Sequence, residues 1–78
     1  RTKQTNPSKV FAKNVSNNLM TLRHKRGFTQ QELAERSGID RKTVNRIENG
    51  HYSPSMDTFF RICGALGVKP TEVISRKR

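Results

Sequence analysis

Residues 29–50, TQQELAERSGIDRKTVNRIENG, constrain the fold more than any other part of the chain. Thr29 and Glu32 form a capping box, in which the threonine hydroxyl and the glutamate side chain each accept from the other residue's backbone N–H. Asp40 is a second N-cap residue. Glycines follow both segments, and Gly38 stands at the turn between them, where a left-handed backbone ends a helix. The stretch therefore predicts two short helices joined by three residues.

Two short helices joined around a glycine meet at a steep angle, so we predict a helix-turn-helix at about residues 30–48. In its second helix, from about Arg41 to Glu48, the periodicity turns Val44 and Ile47 towards the core. The remaining side chains point outwards: Arg41, Lys42, Thr43, Asn45 and Arg46. Arginine and lysine pair with guanine and asparagine with adenine, so this helix fits the DNA major groove. The alternative is a helical hairpin with a solvated polar face.

Three further helices complete the domain. Asn6-Pro7 starts the first, which runs to about Arg26 with the apolar stripe Phe11, Val15, Leu19 and Leu22. Ser55 caps the fourth, whose stripe is Met56, Phe59, Ile62, Cys63 and Leu66. Pro70 opens a short fifth helix that carries Val73 and Ile74. We therefore predict an all-α domain of five helices over residues 7–74, with a flexible basic arm at 1–6 and a basic tail at 75–78.

The charge balance indicates an anionic partner. Sixteen Lys and Arg against six Asp and Glu give a formal net charge of +10 on 78 residues. Such an excess on one small domain favours nucleic acid first and a membrane surface second. No apolar run approaches the length of a transmembrane helix.

The residues from Leu19 to Ile74 resemble the lambda repressor/Cro superfamily of helix-turn-helix regulators, the XRE family. The resemblance depends on Gln-x-x-Leu-Ala in the first helix of the motif and on glycine at the turn. It also depends on Ile-Glu-Asn-Gly at the end of the second helix and on Ala-Leu-Gly-Val after the fourth. The family's fold is a five-helix DNA-binding domain.

The resemblance implies a role for each matching position. The base-contacting residues would be Arg41, Lys42, Thr43, Asn45 and Arg46. The phosphate-contacting residues would be Gln30, Asn49, Tyr52 and Ser53. Arg23 and Glu48 match a family pair that forms an ion pair between the first and third helices. Phage repressors often carry glutamine where this chain has Arg41-Lys42, so the operator sequence does not transfer, and Arg41 favours a guanine.

The expected function is sequence-specific binding of double-stranded DNA by a transcriptional regulator, a repressor that acts as a homodimer on a palindromic or near-palindromic operator. For the dimer contact, Val73 and Ile74 of the fifth helix are candidates, and burial in the core is the alternative for both. Two other functions stay open: an antitoxin with a protein partner and autoregulatory DNA binding, and the DNA-targeting domain of a longer enzyme. The single cysteine and the lack of a secretory signal favour a reduced cytosolic setting, and the resemblance implies a nucleoid-associated protein of a bacterium or phage.

No residue pattern predicts catalysis, a cofactor or a metal site. Glu48 has no second carboxylate, His or Cys placed by the sequence to act with it. His24 and His51 lack metal-ligand spacing and are predicted at the surface. Cys63, the single cysteine, lies in an apolar stripe and is predicted to be a core residue. We therefore expect a binding protein that is not an enzyme.

Overall fold

The computed structural model describes residues 7–74, with side chains described at residue 10 and at residues 12–74. It contains five helices: α1 (Pro7–Arg26), α2 (Gln30–Ser37), α3 (Arg41–Glu48), α4 (Met56–Leu66) and α5 (Pro70–Ile74). No strand occurs within residues 7–74. The predicted all-α, five-helix architecture is confirmed. The predicted arm and tail, and the side chain of Phe11, lie outside the described part.

The capping box predicted before α2 is present. The Thr29 hydroxyl accepts from the backbone N–H of Glu32 at 3.0 Å, and the Glu32 carboxylate accepts from the N–H of Thr29 at 2.8 Å. These bonds satisfy two of the backbone donors that a helix leaves unpaired at its first turn. The first residue of α2, Gln30, is thereby held at a defined position, which matters for the site described below.

The turn between α2 and α3 depends on a left-handed residue. Gly38 has φ 74° and ψ 28°, and its N–H donates to the carbonyl of Ala34. A side chain there would be strained by the positive φ, and its Cβ would stand 3.1 Å from the guanidinium of Arg61 on α4. Glycine thus allows the chain to reverse direction beneath a neighbouring helix.

Asp40 and Ser55 cap the two helices that follow. The Asp40 carboxylate accepts from the backbone N–H of Thr43 at 3.0 Å, and the Ser55 hydroxyl accepts from the N–H of Thr58 at 3.1 Å. Both caps are at the positions that the sequence predicts. They set the boundaries of α3 and α4 before any packing is considered.

Every helix contributes to one core. Its largest fully buried side chains are Val15, Leu19, Leu33, Val44, Ile47, Ile62, Cys63, Leu66 and Val73. The side-chain amide of Asn18 on α1 also donates to the carbonyl of Val73, which connects the first helix to the last. α3 is therefore backed by the core through Val44 and Ile47, as predicted, and Arg41, Lys42 and Arg46 on its opposite side are exposed.

One apolar residue differs from the predicted core, and the two candidates for a dimer contact differ in their burial. Met56 is wrong as a core residue, because it is 67% exposed. Met56 is the first residue of α4. Helical spacing predicts which residues share a face of the helix, but it does not predict how far the neighbouring helices cover that face. In α5, Val73 is buried whereas Ile74 is 45% exposed, so the two candidates for a dimer contact are separated.

Candidate nucleic-acid interface

α3 presents its polar residues on the side opposite the core. Arg41, Lys42 and Arg46 are exposed, whereas Thr43 and Asn45 are half-buried. Of the five residues predicted to contact bases, three therefore extend fully into solvent and two lie closer to the body of the domain. All five share one short helix, whose N-terminal end is capped by Asp40.

The cap of α3 also lowers the pKa of Asp40. Hydrogen bonds from the side chain and the backbone amide of Thr43 hold the pKa of the Asp40 carboxyl below its ordinary value of 3.8. These bonds favour the ionised form, because a carboxylate accepts them and a protonated carboxyl accepts fewer. Thr43 is thus part of the cap as well as a predicted base contact.

A buried ion pair fastens the end of α3 to α1. The Nε of Arg23 donates to Glu48 Oε2 at 2.7 Å, and its Nη2 donates to Glu48 Oε1 at 2.9 Å. Both residues are buried. The remaining Nη1 of Arg23 donates to the backbone carbonyl of Phe28 at 2.8 Å, just before the cap of α2. One guanidinium therefore holds together α1, the start of the helix-turn-helix and the end of α3.

A line of side-chain hydrogen bonds continues from this pair to the exposed face. Gln30 Nε2 donates to Glu48 Oε1 at 2.9 Å, and Asn45 Nδ2 donates to Gln30 Oε1 at 3.2 Å. Asn49 Nδ2 in turn donates to Asn45 Oδ1 at 3.0 Å. We call this series, Glu48–Gln30–Asn45–Asn49, the amide relay. It joins the N-terminus of α2 to two positions of α3 and its C-cap.

The residues predicted to contact phosphate fall into two groups. Gln30 is half-buried, and both ends of its amide are engaged in the amide relay. Asn49, Tyr52 and Ser53 are exposed and follow directly after α3. The last three therefore lie accessible in the segment that follows α3, while Gln30 has protein partners.

The histidines of the described residues lie at the surface, and the cysteine lies in the core. Within the described residues, no group of three or more His, Cys, Asp and Glu is placed to hold a metal ion. His24 and His51 are exposed, and Nε2 of His24 lies 3.3 Å from Arg23 Nη2. Cys63 is a core residue as predicted, and burial raises the pKa of its thiol to about 11, which keeps the thiol protonated near neutral pH.

The amide relay has only a partial signal in the sequence. Asn45 and Asn49 are four residues apart on a helix, so their contact has a signal in the sequence. The contact between Gln30 and Glu48 has none, because 18 residues and a turn separate them. Only the angle between α2 and α3 brings these two side chains together.

Comparison with known proteins decides the family. A profile described as helix-turn-helix matches residues 19–73, most of the chain. This chain belongs to the helix-turn-helix family of DNA-binding transcriptional regulators. The resemblance to lambda repressor/Cro-like (XRE) regulators drawn from the sequence motifs is thereby confirmed.

Two curated relatives illustrate the range of this family. An HTH-type transcriptional regulator of Methanothermobacter thermautotrophicus is 50% identical over 48 residues, which cover 62% of this chain and 70% of the relative. The antitoxin HipB of Escherichia coli is 35% identical over 57 residues, which cover 73% of this chain and 61% of HipB.

Solved structures agree with the fold. The restriction-modification controller protein C.AhdI from Aeromonas hydrophila superposes with a TM-score of 0.77 at 31% identity. The match covers 80% of this chain and 94% of the controller. Within residues 7–74, no helix is long and apolar enough to cross a membrane.

Proposed function

We propose that this helix-turn-helix domain recognises a specific sequence of double-stranded DNA by inserting α3 into the major groove. The observation that carries the proposal is the outer face of α3, where Arg41, Lys42 and Arg46 are exposed on a helix backed by buried Val44 and Ile47. We assign base contacts first to Arg41 and Lys42 at the start of α3, because recognition helices contact base edges through their N-terminal residues. Arg41 is assigned to a guanine, the base that presents two acceptors to a guanidinium.

Asn45 is the second proposed base reader. Its amide offers the donor and acceptor pair that matches adenine N7 and N6. It lies one helical turn after Arg41, so the two side chains address neighbouring base pairs. Lys42, Thr43 and Arg46 complete the proposed reading face.

Phosphate contacts are proposed beside this face. Asn49, Tyr52 and Ser53 lie exposed after α3, and Gln30 stands at the N-terminus of α2, where free backbone N–H groups attract an anion. The net charge of +10 supplies a long-range attraction to DNA. Binding should weaken steeply with added salt, because each phosphate contact releases counterions.

The proposed mode of action is repression by a homodimer without catalysis. Two copies on a palindromic site would place their α3 helices about one helical turn apart. Occupancy of a promoter excludes polymerase without any further contact, so binding alone is sufficient for repression. Ile74 of α5, which is half-exposed next to buried Val73, is the proposed dimer residue. A cytoplasmic location follows from the proposed target.

Selection of bound DNA from random oligonucleotides tests the proposal, because it reports base preference and half-site symmetry together. The wild-type chain should select a two-fold symmetric site. The Arg41→Ala variant should lose preference at one base pair of each half-site, at a cost of ~1–3 kcal/mol. Arg61→Ala, which removes an exposed arginine from α4, is the matched control and should keep the selected sequence.

Two outcomes would contradict the proposal. Selection of no sequence by the wild-type chain would exclude specific recognition. An unchanged preference in the Arg41→Ala variant would exclude Arg41 as a base reader, even if binding remained specific.

The similarity to HipB favours one second candidate, an antitoxin that binds a protein partner and represses its own operon. Both candidates use the same DNA-binding face, so DNA selection alone does not separate them. Co-purification of a tightly bound second protein from the native host would favour the antitoxin. A chain that elutes alone and still selects its site would favour the regulator without a partner.

A further inference from the structure

We propose that Glu48 and Gln30 act as positioning residues that set the orientation of Asn45 for base reading. The inference depends on the proposed function, because it assumes that α3 reads bases. It starts from the amide relay, whose three hydrogen bonds of 2.9, 3.2 and 3.0 Å connect the buried ion pair to the recognition face. None of these bonds involves the backbone, so side-chain identity alone maintains them.

The relay has a direction, and the buried carboxylate determines it. Arg23 holds Glu48 through two hydrogen bonds, and a carboxylate paired in this way only accepts. Gln30 must therefore turn its Nε2 towards Glu48 and its Oε1 away from it. An amide oxygen can only accept a hydrogen bond, so Asn45 must turn its donor Nδ2 towards Gln30 Oε1. The orientation of each amide follows from the one before.

The same direction continues to the C-cap of α3. With its Nδ2 directed to Gln30, Asn45 presents Oδ1 to the Nδ2 of Asn49. Each of these bonds uses one N–H or one lone pair of Asn45, and an amide has two of each. One donor and one acceptor of Asn45 are thus left for a base in a fixed order. That set fits adenine, whose N7 accepts and whose N6 donates in the major groove.

Positioning lowers the entropy that base reading must overcome. A free asparagine side chain samples several rotamers and both amide orientations, and ordering it on binding costs free energy. Asn45 is already half-buried and bonded on both sides before DNA arrives. Its preference for a base should therefore depend on Gln30, although no base is assigned to Gln30 itself.

Two roles for Gln30 now make different predictions. As a phosphate contact alone, Gln30 affects binding to every sequence equally, because phosphates carry no sequence information. As a positioning residue, it affects one base pair, the one that Asn45 reads. Measuring where the loss occurs separates the two roles.

The test compares Gln30→Met with Gln31→Met. Methionine keeps the length and helix propensity of glutamine but lacks the amide. Gln31 is the matched control, since it is the adjacent glutamine on α2 and its amide donates to exposed Glu35 at 2.9 Å instead of joining the relay. Selection from random oligonucleotides with Asn45→Ala first identifies the base pair that Asn45 reads. Competition binding with that base pair substituted then measures the preference in each variant.

We expect Gln30→Met to lose about tenfold of the preference at the Asn45 base pair, close to the loss in Asn45→Ala. Preference at the Arg41 base pair should stay unchanged in Gln30→Met, and Gln31→Met should retain both preferences.

A Gln30→Met variant that binds all sequences more weakly but keeps the Asn45 preference would overturn the inference and leave a phosphate contact. An Asn45→Ala variant with unchanged preference at every position would also overturn it, while the proposed function would stand if Arg41→Ala lost its base. A wild-type chain without any preference would overturn both.

Discussion

Two ion pairs with similar geometry occupy opposite environments in this domain. Arg23 contacts Glu48 at 2.7 Å with side-chain exposures of 10% and 4%, and Arg61 contacts Asp57 at 2.9 Å with exposures of 51% and 77%. The first joins residues 25 apart on two helices, while the second joins neighbours on one turn of α4. The distances alone would rank the pairs as equals.

The two pairs differ in the number of other groups that are hydrogen-bonded to them. Glu48 also accepts from Gln30, and Arg23 also donates to Phe28, so the buried pair is one part of a connected structure. Asp57 and Arg61 stabilise one turn of α4 and are both screened by water. We conclude that burial and shared partners, rather than the N–O distance, determine the effect of a pair on the fold.

The largest expected effect comes from breaking the buried pair. Glu48→Ala leaves the Arg23 guanidinium buried without its counter-charge, which should lower the free energy of unfolding by ~3–5 kcal/mol. Urea unfolding followed by circular dichroism measures this change. Urea is the suitable denaturant because it is uncharged and does not screen the pair.

Replacing both residues of the buried pair tests whether the unpaired charge causes the loss of stability. Arg23→Met with Glu48→Met buries no charge, so it should recover much of the stability lost in Glu48→Ala. Recovery should be incomplete, because the Phe28 carbonyl and the Gln30 amide lose their partners. A double variant as unstable as Glu48→Ala would show that the stranded charge is not the cause.

The intermediate effect on stability is expected at Asp40. Like Asp57, Asp40 is exposed; like Glu48, it accepts a hydrogen bond from a fixed donor, the backbone N–H of Thr43. Since the pKa of its carboxyl is lowered in the folded state, its contribution is complete above 3.8 and disappears as the pH falls through the lowered value. The wild-type chain should therefore lose more stability between pH ~5 and ~2 than Asp40→Asn, whose amide caps a helix without titrating.

Parallel urea titrations of the two chains across this pH range measure the difference. Every other carboxylate is shared by both chains, so the comparison isolates Asp40. Equal pH dependence in the two chains would contradict a contribution from its ionised form.

The smallest expected effect belongs to the exposed pair. A double-mutant cycle with Asp57→Ala and Arg61→Ala should give a coupling energy of ~0.3–0.5 kcal/mol. At ~1 M salt the coupling should fall to a fraction of this value, because the screening length decreases to ~3 Å. A coupling near that expected of the buried pair would refute the conclusion that burial decides the effect.

Local features of the sequence were sufficient to predict the helix boundaries. Thr29, Asp40 and Ser55 each cap the predicted helix through a hydrogen bond that spans three residues. Such bonds depend on chain geometry within one turn, so the sequence contains all the information they need. The spacing of Val44 and Ile47 likewise predicted which face of α3 would be buried.

The predictions that failed or were incomplete involve neighbours outside one helix. Met56 continues the apolar stripe of α4 in the sequence, but its exposure depends on where adjacent helices end. Gln30 was predicted only as a phosphate contact, and its bonds to Glu48 and Asn45 depend on the packing of α2 against α3. Helical periodicity describes one helix at a time, so it predicts neither the exposure of Met56 nor the contacts of Gln30 with α3.

By itself, the sequence determined five helices, the caps of α2, α3 and α4, an all-α fold and the residues on the outer face of α3, because caps and periodicity act over a few residues. Only the tertiary structure decided that the Arg23–Glu48 pair is buried and that its carboxylate orients Gln30, Asn45 and Asn49 in turn. Hydrogen bonds between side chains require donor and acceptor within about 3 Å, and residues 15 to 25 positions apart meet at that distance only after the helices pack.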